Sequence, residues 1–75
     1  PMDAQLLAER ERARKLLKQF NDSAADDQGK RTAILSKLFG AESDVFIEPP
    51  FYCDYGTNIS FGSNVFLNFN CVVLD

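Results

Sequence analysis

Cys53 and Cys71 are the residues that most invite a chemical reading, because a thiolate can attack a carbonyl or bind a metal. A thiol near neutral pH reacts only with a base or a positive charge beside it. Neither is at hand: none of the 75 residues is His, and all eight Lys and Arg lie between Arg10 and Lys37. Residues 38–75 carry five acids and no base. Both Cys therefore read as small buried hydrophobes, and no metal site is expected. The acidic half cannot collect phosphate contacts, which argues against nucleic acid as its partner. The basic cluster Arg10, Arg12, Arg14, Lys15 and Lys18 could meet an anion, but reads better as a solvated helix face, supported by Glu11 and Lys15 at i, i+4.

The elements behind these residues divide the chain in two. Leu6, Ala13, Leu16, Leu17 and Phe20 fall on one stripe of an amphipathic helix running from about Met2 to Phe20. Ser23, three residues ahead of Asp26, has the form of a capping box, and Ile34, Leu35, Leu38 and Phe39 make the apolar face of a second helix. Its start lies between Ala24 and Lys30, since Gly29 is unfavourable inside a helix, and Gly40 is its stop. A chain this short is one small domain of marginal stability. No apolar run approaches the ~20 residues that span a bilayer, and the N-terminus lacks signal-peptide order, so a cytoplasmic location with no membrane partner is expected.

From Val45 the periodicity becomes six. The chain reads IEPPFY, CDYGTN, ISFGSN, VFLNFN and CVVLD, with Ile47, Cys53, Ile59, Val65 and Cys71 in the first position. Gly56 and Gly62 hold the fourth position of their hexads, and Asn58, Asn64 and Asn70 the sixth, where bends need residues tolerant of positive φ. Repeated short extended segments with bends make a parallel β-helix. An antiparallel meander also separates apolar residues with Gly and Asn, but has no reason to keep one spacing. Phe66, Leu67 and Phe69 break the pattern in positions expected to face outward, so something other than water should cover them.

The motifs EPPF, CDYG and NFNC, preceded by a helical hairpin ending LFG, resemble the N-terminal part of the maltose and galactoside O-acetyltransferases, closest to the maltose branch. The resemblance spans essentially the whole chain. It implies a mainly β fold with an N-terminal helical hairpin: a cap over residues 1–44, then the first coils, 45–75, of a single-stranded left-handed parallel β-helix of hexapeptide repeats. It further implies a homotrimer that binds acetyl-CoA and an acceptor sugar in clefts between subunits. Asn68 matches a position that contacts the acceptor, where an amide can both donate to and accept from a hydroxyl; a turn-forming Asn is the alternative. Asp54 matches another polar acceptor contact, against the ordinary Asp beside a turn. Phe66 matches an aromatic position beside the sugar, against burial at a subunit interface.

With three hexads per coil, Cys53 and Cys71 should stack one above the other, ~4.8 Å apart. A disulfide would then be within reach, although parallel side chains do not readily adopt its ~90° torsion and a cytoplasmic thiol stays reduced. The family's catalytic base is a His further along, so no catalytic residue is expected in this chain. The hexads stop mid-coil, and the chain reads as a fragment rather than a truncated relative. A non-catalytic module that binds a saccharide or a sister chain through Phe61, Phe66, Leu67 and Phe69 is the other reading. Without a His, no side chain here is suited to deprotonating an alcohol. The purified 75-residue chain should therefore show no release of free CoA from acetyl-CoA above background with maltose present; turnover in that assay would refute the expectation.

Overall fold

The computed structural model describes residues 3–62, 65–68 and 70–75. Helix α1 runs over Ala4–Asn21, with Asp3 as N-cap accepting a hydrogen bond from the Leu6 N–H at 2.9 Å. Helix α2 covers Gln28–Phe39. Its cap is Asp27, which accepts from the Lys30 N–H at 3.2 Å, and not Ser23. With Gln28 as the first helical residue, the capping position falls on Asp27, and Gly29 sits in the first turn rather than the interior. Ser23 is used otherwise: its hydroxyl donates to the Phe20 carbonyl and accepts from Arg31 Nε at 2.8 Å. Arg31, only 6% exposed, also donates to the Ser23 carbonyl, so its guanidinium ties the connection to α2. At the far end Gly40 takes φ 73° and donates to the Ser36 carbonyl, as a left-handed C-cap should.

The apolar stripes meet as expected along most of their length. Ala13, Leu17 and Phe20 of α1 and Ile34, Leu35, Leu38 and Phe39 of α2 are buried in one core with Val45, Ile47 and Phe51. Leu16 is half-buried, while Leu6 at the open end of α1 is exposed. The basic face needs a correction. Arg14, Lys15 and Lys18 are solvated, but Arg12 turns inward, its guanidinium donating to the carbonyls of Lys37 at 2.9 Å, Leu38 at 3.1 Å and Tyr55 at 3.3 Å. The C-terminal carbonyls of α2 have no helical partner, and a cation there satisfies them while meeting the negative end of the helix dipole.

Beyond α2 lie four short strands, β1 (Phe46–Ile47), β2 (Phe51–Cys53), β3 (Phe66–Leu67) and β4 (Cys71–Val73). β1 pairs with β3 and β2 with β4, both in parallel, so these strands do not form an antiparallel meander. The register departs from three hexads. Phe46 faces Phe66 and Phe51 faces Cys71, so the chain returns alongside itself after 20 residues. Cys53 accordingly faces Val73, and the two Cys do not stack; both are free and half-buried. The two surplus residues fall in the return segment 54–65, which contains a turn closed by the Ile59 N–H on the Gly56 carbonyl. The inward positions pair as Ile47 with Leu67, Phe51 with Cys71 and Cys53 with Val73, a repeat of 20 rather than 18. Leu67 packs against the core instead of facing out, whereas Phe66 is 59% exposed and stacks on Phe46 with centroids 4.9 Å apart. Met2, Ser63, Asn64 and Phe69 lie outside the described residues.

The two glycines of the hexads are not equivalent. Gly56 has φ 88°, and a Cβ there would lie 2.5 Å from the Leu38 carbonyl oxygen and 2.8 Å from its side chain. Gly62 has open space around it. Replacing Gly56 with Ala should destabilise by about 1–3 kcal/mol from backbone strain alone, with the clash added. Gly62→Ala should fall within about 0.5 kcal/mol of wild type. Urea denaturation of both variants checks this, and equal effects would refute the distinction.

Candidate functional site

Among the described residues the densest polar construction surrounds the turn after β2, where residues 54–58 leave the ladder. A turn exposes backbone N–H groups that no strand partner can satisfy, and each needs an acceptor. Asp75 supplies it. Its Oδ1 accepts from the N–H groups of Asp54 at 3.0 Å and Tyr55 at 2.9 Å, and its Oδ2 from Gly56 at 2.8 Å and, more weakly, Asn58 at 3.4 Å. The Asn58 side-chain amide donates in turn to the Asp75 carbonyl at 3.0 Å. Arg12 holds the same turn from the other side through the Tyr55 carbonyl, and Gly56 lies directly against Leu38.

The electrostatics follow from this geometry. Burial pushes the Asp75 carboxyl towards neutrality, but the backbone donors from Tyr55, Gly56, Asn58 and Asp54 outweigh it and hold the group below its ordinary 3.8. At Cys53 burial comes first, with the Asp75 and Asp54 charges next, and together they push the thiol up to about 12 against the opposing pull of Arg12. Such a thiol stays protonated at neutral pH and is a poor nucleophile, in line with the sequence reading.

The edge of the ladder facing the helices is closed by Asn21. Its Oδ1 accepts from the Phe51 N–H at 2.9 Å and its Nδ2 donates to the Phe51 carbonyl at 3.0 Å, so one side-chain amide makes the two bonds of an adjacent strand. Phe39 packs edge-on against both Phe51, at 6.3 Å between centroids, and Phe61, at 5.1 Å, joining α2 to the return segment.

The three residues singled out in the sequence occupy different places on this frame. Asp54 is half-buried at the start of the clamped turn. Asn68 is exposed in the turn before β4, where its carbonyl accepts from Cys71 Sγ at 2.9 Å and the next described residue, Asn70, has φ 65° and donates to the Pro50 carbonyl. Asp54 and Asn68 thus stand at opposite ends of the β2–β4 ladder, and Phe66 lies on the other ladder. A groove of about 460 Å³ between Phe39, Glu42, Asp44, Ile59 and Phe61 contains none of the three. Among the described residues no group of His, Cys and carboxylates could hold a metal, and no helix is long and apolar enough to cross a membrane.

Sequence reasoning missed Arg12, Asn21 and Asp75. Arg12 lies four residues before Leu16 and eight before Phe20, along the buried stripe, which is a signal that it points inward. Asn21 directly follows the last buried residue of α1. Asp75 offers no local signal, because its partners are defined only by the 20-residue register.

Comparison with known proteins defines the class. The maltose acetyltransferase hexapeptide capping motif matches residues 1–42, and the chain belongs to that family. Similar solved structures are hexapeptide-repeat acetyltransferases. A maltose O-acetyltransferase from Clostridium difficile 630 is 42% identical, with a TM-score of 0.91 covering 97% of this chain and 40% of that one. A galactoside acetyltransferase in complex with coenzyme A is 33% identical, with a TM-score of 0.85 over 99% of this chain and 38% of that one. The Saccharomyces cerevisiae protein YJL218W is 42% identical over 74 residues, which are 97% of this chain and 38% of that protein. The chain thus spans about two-fifths of the length of the relatives it matches.

The Asp75 geometry has a pH consequence whose sign is fixed. A carboxyl held below 3.8 in the folded state contributes stability that is present above 3.8 and lost as pH falls through the folded value. The Tyr55 and Gly56 amide resonances should therefore shift together only below pH 3.8, and Asp75→Asn should abolish that transition. A transition of both amides above pH 3.8 would refute it.

Proposed function

We propose that these residues form the cap and first coil of an acetyl-CoA-dependent O-acetyltransferase that acetylates a sugar hydroxyl. The observation that carries the reading is the likeness to the maltose O-acetyltransferase, which extends over both the helical hairpin and the paired strands. In this reading residues 1–44 are the cap domain and 45–75 the start of a left-handed parallel β-helix, whose parallel ladders and recurrent bends suit a coil. The protein is a cytoplasmic homotrimer. Acetyl-CoA is the acetyl donor, supported by the coenzyme A complex of the galactoside relative.

The reaction is attack of the sugar hydroxyl oxygen on the thioester carbonyl, with release of CoA as thiol. The hydroxyl proton is taken by a His that the family carries further along and passed from it to the departing CoA sulfur, and the 75 residues here supply binding and orientation. Asn68, exposed at the turn before β4, offers its amide to an acceptor hydroxyl, and Asp54 accepts from another. The ring of Phe66, more than half exposed on its stack with Phe46, offers an apolar face to the sugar. The non-catalytic alternative, binding through Phe61, Phe66, Leu67 and Phe69, has less support, since Phe61 and Leu67 pack against the core and only Phe66 of the described three is exposed; a longer reading frame with further hexads and a His separates the two.

In the acetyltransferase that carries this segment, Asn68→Ala should lower kcat/KM for the sugar by the equivalent of about 1–3 kcal/mol. Steady-state kinetics with maltose and a galactoside measure this. Unchanged kinetics with the fold intact would assign Asn68 to turn geometry and remove its place in the site.

A further inference from the structure

We infer that Asp75 is a positioning residue of the acceptor site, which fixes the Asp54 side chain by binding the backbone of the turn that carries it. The inference rests on the proposed role of Asp54. Asp54 begins a turn with few ladder bonds of its own, so its direction is set by whatever holds that turn. Two groups distant in sequence do so: the Asp75 carboxylate takes the N–H groups of Asp54, Tyr55 and Gly56 at 2.8–3.0 Å, and the Arg12 guanidinium takes the Tyr55 carbonyl at 3.3 Å. Both peptide groups flanking the Asp54 Cα are thereby constrained, one by its own N–H and the other by the N–H of Tyr55, on the same carboxylate oxygen. A site residue held to within about 0.5 Å by such support is what productive orientation of a hydroxyl requires.

Asp75 has no part in proton transfer in this scheme, since both its oxygens are occupied by backbone donors. Its loss should show in acceptor binding rather than in the use of acetyl-CoA. Losing the carboxylate frees three close N–H donors at once; an Asn would keep one acceptor oxygen and hold part of the turn.

The test uses the full-length acetyltransferase and its Asp75→Ala, Asp75→Asn, Asp54→Ala and Asp54→Ala/Asp75→Ala variants, with maltose and methyl β-galactoside as acceptors. Asp75→Ala should raise the acceptor KM roughly tenfold while the acetyl-CoA KM stays within about twofold. Asp75→Asn should fall between wild type and Ala. The double variant should be no worse than Asp54→Ala, because the two act on one contact. Equal rises in both KM values, or additive effects in the double variant, would overturn the positioning role. Should Asp75→Ala fail to fold, Asp75→Asn decides: a raised acceptor KM alone supports the role, and an unchanged one overturns it. An Asp54→Ala variant with unaltered acceptor KM would sink the underlying site reading and the positioning role with it. An Asp54 effect beside a silent Asp75 would sink the positioning role alone.

Discussion

One short turn must satisfy its backbone where the chain leaves the β2 strand, and most of the structure is arranged around that requirement. A strand ends there, the peptide groups of residues 54–58 lose their ladder partners, and Gly56 brings the backbone hard against Leu38. Unpaired N–H and C=O groups in such a place cost about 1–3 kcal/mol each. The solution is to divide them by type. The N–H groups go to a carboxylate 20 residues further along, and a carbonyl goes to a guanidinium 43 residues earlier. Arg12 also closes the end of α2, so one side chain joins both helices to the first return of the ladder.

The helical hairpin does for the strands what a further strand would do. A parallel ladder has an edge of free peptide groups, which pairs with other chains unless something occupies it. Asn21 occupies the edge at Phe51 with the donor and acceptor that a strand would present. Behind it, Phe20, Leu38 and Phe39 are buried against the strands, with Phe51 and Ile47 among the most completely enclosed residues. The hairpin therefore supplies strand-like hydrogen bonds at this edge as well as an apolar lid.

The features legible in the sequence are those set within one turn or one bend. The buried faces of α1 and α2 follow from the 3.6-residue spacing, and Gly40 as the helix stop follows from its freedom to adopt positive φ. The apolar hexad positions Ile47, Cys53, Ile59, Val65 and Cys71 all reach the core. The register was not legible, because hexads count residues locally while strand pairing depends on how much chain the return segment consumes. Two additional residues there carried Cys71 away from Cys53 and turned Leu67 inward. For the candidate site, Asn68, Asp54 and Phe66 could be named only through family motifs. The groups that hold Asp54's turn are separated from it by 17 or more residues and have no local signature.

The placement of those three residues also bears on how a site could be assembled. Asp54 and Asn68 lie at opposite ends of one ladder, and a single sugar ring cannot bridge the length of a strand with its turns. The outward residues between them include Tyr52 and Val72, 51% and 63% exposed, and beyond β4 Leu74 is 83% exposed. An apolar outer face of this kind calls for a covering surface.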